Sequence, residues 1–298
     1  MKKYLCICVF LFLFFSGCGN FRAPVIVNGN QSGSSMSYIS YMDIPGISED
    51  EIRAIEEFKD QRDFFVYGMN PSTEAFEEYG EIRGFTALFC DWLTNLFGIP
   101  FVPSLYDWSE LISGLENNEI DFTGELTASI ERRQWYFMTD PIARRSIKYL
   151  RMADRAPLHN IITSRTPRYA FLRGSVTIDY VERFTQYSFD KVFVDSYTDA
   201  YDVLVSGQAD AFFADNSMEM IFDIYDNVIA SDFIPVIGLP VSLSTQNPLL
   251  QPVISVVQKA LENGAADYLA ELYNLGRQQH SKHRLYLRLS DEEREFLA

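Results

Sequence analysis

The densest set of groups able to bind or react lies between Phe122 and Ile142: Glu125, Thr127, Glu131, the adjacent pair Arg132 and Arg133, and Asp140. A guanidinium offers paired donors that match the two oxygens of a carboxylate, which an ammonium cannot do. Two readings compete. One arginine grips a bound carboxylate, or the pair ends a solvated helix and meets Glu131 or Asp140, a contact worth little when exposed. "SIERRQWYF" reads as one helical turn running into a strand, so neighbouring side chains diverge and only one arginine can face a shared site. Other chemistry is sparse. His159, His280 and His283 are scattered without metal-ligand spacing, and "LHN" and "SKH" read as surface positions. There is no glycine-rich phosphate loop and no plausible Ser/His/Asp constellation. Catalysis would need a cleft acid with a raised pKa, for which Glu125 is the candidate. The expectation is a binding protein with no catalytic residue, no cofactor and no metal.

The elements that must position these groups follow from composition and periodicity. With 298 residues, 47% hydrophobic and 22% charged, the chain can bury a full core or two lobes. A net charge of −16 excludes nucleic acid as a partner, because phosphate neutralisation needs clustered Lys and Arg. At the N-terminus, Lys2 and Lys3 precede "YLCICVFLFLFF", too short to span a bilayer comfortably but suited to a signal-peptide core. Ser16, Gly17 and Cys18 then resemble a bacterial lipobox, with Phe15 where Leu is usual. The expectation is a signal peptide over 1–17, with lipidation at Cys18 and a Gly/Ser/Asn-rich tether over 18–41. The competing reading is an ordinary signal peptide in which Cys18 is incidental. Cys6 and Cys8 leave with the leader, so Cys90 alone remains, as a buried core thiol.

Ser48 and Glu51 stand in capping-box register, which predicts a helix to about Arg62, an extension over 42–63 outside the core pattern. From Phe64 strands and amphipathic helices alternate. "FFVYG", "IPFVPSLY" and "IDFTG" read as strands; "FTALFCDWLTNLFG", closed by Gly98, and "WSELISGLENN" read as helices. A second series after Pro157 repeats the order, with strands "RYAFLRG", "KVFVD" and "ADAFFAD" and helices "VTIDYVERFT", "YTDAYDVLVSG" and "SMEMIFDIY". "LPVSLS" and "LLQPVISVVQKALEN" return to the first series. The pattern predicts an α/β architecture of two lobes on parallel sheets, with a ligand cleft between them.

Several ordered segments carry a family resemblance. "RGFTALFCDWL", "YDWSELISGLENNEIDFTGELTASIERRQWYFMTDPI", "FLRGSVTIDYV", "SGQADAFFADNSM" and "LENGAADYLAELYNLG" together resemble the type II bacterial extracellular solute-binding proteins, polar-amino-acid-binding family, from about Phe64 to Gly276. The resemblance implies the two-lobed type II periplasmic-binding-protein fold. Lobe 1 would be 64–149 plus 238–280, lobe 2 150–237, and 281–298 a C-terminal tail. It assigns Arg132 to a ligand α-carboxylate, with Thr127 adding a hydroxyl, Asp215 to the α-ammonium, and Trp108 to cover the ligand. Gly174, Ser175 and Val176 would present helix N-terminal amides to an anion. Bland rivals stand beside these roles: Asp215 and Ser175 as N-caps and Trp108 as core.

Two departures bear on the ligand. Pro71 stands where a pocket aromatic is usual, and Glu125 replaces a small residue. Glu74, Glu125 and Asp215 lean the expectation toward a polar or basic amino acid, unless Glu125 turns outward. The resemblance implies an extracytoplasmic receptor, anchored to the membrane by lipid and serving an ABC transporter permease. Two alternatives remain: the ligand-sensing input of a bacterial sensor protein, suggested by the linker-like "IPGISEDEIRAIEEF" and "LSDEEREFLA", and an enzyme of the same fold such as a cyclohexadienyl-type dehydratase. Closure would hinge near 148–151 and 234–239.

Overall fold

A computed structural model describes residues 38–290 and residue 293. The leader, Cys18 and the tether as far as residue 37 lie outside them. Among the described residues no helix is long and apolar enough to cross a membrane.

The first helix, α1 (Glu49–Gln61), starts on the capping box its sequence announces. Ser48 Oγ accepts from the Glu51 amide at 3.2 Å, and Glu51 Oε2 accepts from the Ser48 amide at 2.7 Å. The helix is not an appendage, however. Ile55 is fully buried in the first-lobe core, and Glu51 also takes Lys259 at 2.6 Å and the Ser255 hydroxyl at 2.6 Å. Its apolar stripe therefore belongs to the fold that follows.

The first lobe continues through β1 (Phe65–Met69), the hairpin β2 (Phe76–Glu78) and β3 (Glu81–Arg83), α2 (Phe85–Phe97), β4 (Phe101–Leu105), α3 (Trp108–Glu116) and β5 (Phe122–Leu126). β1 lies parallel to both β4 and β5, as crossover helices require. Phe65 packs across the three strands, with ring centroids 5.1 Å from Phe101 of β4 and 5.4 Å from Phe122 of β5. Gly98 ends α2 in the left-handed region at φ 68°.

The second lobe repeats the scheme. It comprises α4 (Leu158–Ser164), β7 (Arg168–Leu172), α5 (Thr177–Phe184), β8 (Asp190–Val194), α6 (Tyr197–Val205), β9 (Ala211–Asp215), α7 (Glu219–Phe222) and β10 (Val228–Asp232). β7 pairs parallel with β8 and β9. The helix expected over "SMEMIFDIY" is only a 3-10 turn, Asn216–Met218, and the four-residue α7. It stops where Tyr225 turns back to stack on Tyr201, with centroids 3.6 Å apart.

Two long antiparallel strands join the lobes, so the sheet is mixed rather than parallel throughout. They are β6 (Phe137–Met152) and β11 (Gly238–Thr245), central in the order β4-β1-β5-β11-β6-β9-β7-β8, with β10 also on β6. β6 pairs with β11 as far as Ser146 opposite Gly238, then with β9 from Ile147 opposite Asp215. The chain thus passes between lobes at Ser146–Ile147, just ahead of the expected 148–151 segment.

Helices α8 (Gln251–Ala260) and α9 (Ala266–Arg288) close the first lobe. Gly276 lets α9 approach the start of α2, where a Cβ would run into the Phe85 backbone. The two C-terminal histidines are not surface positions. His280 is buried against Phe76, and His283 stacks on the same ring at 4.8 Å while its Nδ1 lies 3.1 Å from Glu78 Oε1.

Candidate functional site

A small cleft where the lobes meet is lined by Trp108, Glu125, Thr127, Arg132, Ser175 and Asp215, together with Asn70 and Arg145. Apart from Arg132, in a 3-10 turn, and Arg145, within β6, these side chains come from the ends of elements. Asn70 follows β1, Glu125 and Thr127 close β5, Trp108 opens α3, Ser175 precedes α5, and Asp215 ends β9. In parallel α/β lobes these strand ends and helix starts point the same way, so they converge.

The Arg-Arg pair beside β5 divides as the short turn requires. Residues Arg132–Gln134 form a 3-10 turn, and the two side chains leave in different directions. Arg132 enters the cleft and donates from Nη1 to the Thr127 carbonyl at 3.1 Å and from Nη2 to the Gly174 carbonyl at 2.8 Å. Arg133 is exposed and donates to the Met138 carbonyl at 2.8 Å, away from the cleft. Arg132 makes no ion pair among the described residues; its hydrogen bonds go to carbonyls, and the Asp179 and Glu131 charges act on it only from beyond ion-pair distance. Burial keeps its pKa below the usual guanidinium value.

Opposite it, the turn after β7 spends its nearest donors on itself, the Ser175 amide going to the Leu172 carbonyl at 3.1 Å. Ser175 Oγ accepts from the Thr177 amide at 3.2 Å and donates to Thr177 Oγ1 at 2.9 Å. Helix α5 takes Val176 as its N-cap, so Ser175 is not the cap and braces the turn before it while lining the cleft. Trp108 reaches across the mouth, its Nε1 donating to the Arg173 carbonyl at 3.0 Å. With Arg132 on the Gly174 carbonyl, two first-lobe donors hold one second-lobe turn.

The other end is acidic, and its geometry could not be read from the sequence. Glu125 does not turn outward. It and Glu74 converge on Arg145, a residue of β6 left only 2% exposed. Arg145 forks onto Glu74, with Nε to Oε1 at 3.0 Å and Nη2 to Oε2 at 2.8 Å. Nη1 meets Glu125 Oε2 at 2.5 Å and lies 3.6 Å from Asp215 Oδ2. Tyr273 of α9 adds its hydroxyl to Glu74 Oε1 at 2.8 Å. Asp215 Oδ1 meanwhile accepts from the Ser217 amide at 2.9 Å and the Ser217 hydroxyl at 2.5 Å, the capping role that Asp fills well. Asp215 is therefore both a cap and a cleft residue.

Burial pushes the Glu125 carboxyl up, Arg145 pulls it back, and the neighbouring Asp215 and Glu74 charges leave it raised overall. For Arg145, burial alone would lower the pKa, but the carboxylates of Glu125, Glu74 and Asp215 outweigh it and hold the guanidinium well above its usual value. The leaning toward a polar or basic ligand assumes that these carboxylates are free; the chain's own arginine takes both oxygens of Glu74 and one of Glu125.

Arg145 and Asn70 were missed as cleft residues. "IARRSIKY" did carry a signal. In a strand, alternation sends Arg144 and Arg145 to opposite faces, and Arg145 shares its parity with the buried Ile147. A fully buried arginine is rare enough that the apolar pattern argues against it. Among the described residues no cluster of His, Cys, Asp and Glu could hold a metal ion, and Cys90 is a buried free thiol.

Solved structures share this architecture at low identity. The Bordetella pertussis BvgS periplasmic VFT2 domain is 20% identical with a TM-score of 0.60, covering 75% of this chain and 97% of that one. The Streptococcus pneumoniae amino acid ABC transporter substrate-binding protein AbpA, solved with L-arginine, is 14% identical with a TM-score of 0.56, covering 76% and 98%. The ancestral amino-acid-binding protein AncCDT-1, a precursor of cyclohexadienyl dehydratase, is 19% identical with a TM-score of 0.54, covering 74% and 98%. No curated protein sequence matches the chain. The family model for bacterial extracellular solute-binding proteins, family 3, matches residues 65–276. On that match, and with a two-lobed fold holding its polar groups in the inter-lobe cleft, the chain belongs to the bacterial extracellular solute-binding proteins of family 3.

Proposed function

We propose that this protein is an extracytoplasmic receptor for a small amino acid, delivering it to an ABC-type permease. The observation that carries this reading is Arg132: a cleft guanidinium with no ion-pair partner among the described residues, whose paired donors match a carboxylate. Asp215, with Oδ2 outside hydrogen-bond distance of Arg145, supplies the acceptor for an α-ammonium. The neighbour solved with L-arginine and the ancestral amino-acid-binding protein support an amino acid as the ligand class. A lipid on Cys18 would hold the domain at the membrane, and Cys18→Ala should then release it from the membrane fraction. Binding is favoured over catalysis because Glu125, the candidate acid, already holds Arg145 through one oxygen.

A second reading, a sensor input domain, has its own observation. Helix α9 touches both lobes: Gln279 accepts from the Gly84 amide at 3.1 Å in lobe 1, and Arg284 pairs with Asp223 at 3.0 Å in lobe 2. A helix fastened to both lobes can carry their closure onward. The resemblance to the BvgS domain fits this reading.

Calorimetric titration with a panel of amino acids tests the leading reading. Wild type should bind at least one. Arg132→Ala should lose about 2–5 kcal/mol of that affinity, the cost of leaving a charged partner unmet. Retained affinity in a folded Arg132→Ala protein would refute the carboxylate role.

A further inference from the structure

The acidic end of the cleft holds a guanidinium that belongs to the chain. Arg145 takes both oxygens of Glu74 and one of Glu125, and the Ser217 amide and hydroxyl take one oxygen of Asp215. Its place in β6, the strand that passes between lobes, sets it among two first-lobe carboxylates and one from the second. No carboxylate lining the cleft keeps two free oxygens side by side. A guanidinium on a ligand binds best through such a pair, because its donors lie in a planar fork.

Single acceptors remain. Glu125 Oε1 and Asn70 Oδ1 are buried without a hydrogen-bond partner, and Asp215 Oδ2 lies beyond hydrogen-bond distance of Arg145. All three residues line the same cleft. Buried acceptors left unmet are costly, so they ask for donors. A primary ammonium has three diverging N–H donors and suits separate single acceptors better than a planar fork does. The remaining space is about 40 Å³, room for roughly three water molecules.

We infer that Arg145 is a built-in guanidinium that sets specificity: it fills the acidic end of the cleft, restricts the ligand to a compact molecule with one primary ammonium, and excludes guanidino ligands. This rests on the receptor reading for the carboxylate end but not for the acidic end. Removing the side chain should leave Glu74, Glu125 and Asp215 as a vacant guanidinium site.

The test titrates the full chain and its Arg145→Ala variant with alanine, L-arginine and methylguanidinium, following heat and thermal midpoint. Wild type should take alanine and ignore methylguanidinium and arginine. The variant should bind methylguanidinium about a hundredfold more tightly than wild type, the scale set by pairing a desolvated charge. If the variant does not fold alone, millimolar methylguanidinium should restore its circular dichroism. Two results would overturn the inference: wild type binding arginine as tightly as alanine, or a variant that neither gains methylguanidinium binding nor is refolded by it. Wild type ignoring every amino acid while the variant still gains methylguanidinium would keep the inference and remove the receptor reading.

Discussion

The chain contains two Arg-Arg pairs, and the cleft uses one member of each. Arg132 and Arg133 sit in a 3-10 turn, and the first points inward. Arg144 and Arg145 sit in a strand, and the second is buried. The inward residues have opposite electrostatic lives. Arg132 is met only by two carbonyls, so its charge remains available to a ligand. Arg145 is met by a carboxylate fork and a second carboxylate, so its charge is consumed. The same side chain thus lacks a carboxylate partner at one end and is part of the structure at the other. What separates them is how many buried acceptors the fold brings within reach.

Breaking the structural member should cost most. Glu74 uses both oxygens on Arg145 and one also on Tyr273, and Glu74→Gln leaves a buried guanidinium short of its main partner. A loss of about 3–5 kcal/mol in denaturant unfolding is expected. A loss under about 1 kcal/mol would mean that Arg145 is not structurally committed.

Glu125→Gln should be milder, within about 1 kcal/mol of wild type at neutral pH, because an amide oxygen can still accept from Arg145 and the neutral side chain escapes the cost of ionising a buried carboxyl. It should also change the pH profile. The folded Glu125 carboxyl titrates above its ordinary 4.5. Its ionisation therefore costs stability at pH above the raised value, and that cost vanishes as pH falls to the unfolded value. Wild type should recover this increment on acidification toward about pH 4.5, before other carboxylates protonate, and Glu125→Gln should not. Unfolding midpoints measured across that range decide it; parallel profiles would show that Glu125 is ordinary.

At the receptor end, Trp108→Phe removes the indole bond to the Arg173 carbonyl while keeping an aromatic ring. It should loosen closure by about 1 kcal/mol. The readout is a larger radius of gyration in small-angle scattering without ligand; an unchanged profile would assign closure to other contacts. Smallest of all, Arg133→Ala removes an exposed side chain bonded to the Met138 carbonyl. Stability and ligand affinity should each change by under about 1 kcal/mol. A binding loss as large as for Arg132→Ala would erase the distinction within that pair.

Element order was legible along the chain, because each element carries local signals. Ser48 and Glu51 announce α1, Gly98 ends α2, and apolar runs such as "ADAFFAD" mark buried strands. The sequence also placed Arg132 and Arg133 on different faces, since a single tight turn cannot aim adjacent residues the same way. The tertiary structure decided what each charge meets. Glu74, Glu125 and Asp215 come from three separate segments, and only the return of β11 beside β6 brings the hinge strand and its Arg145 among them. Capping and periodicity act over a few residues and can be read locally. Whether a buried carboxylate waits for a ligand or already holds an arginine depends on contacts 20 to 71 residues apart, which no local pattern encodes.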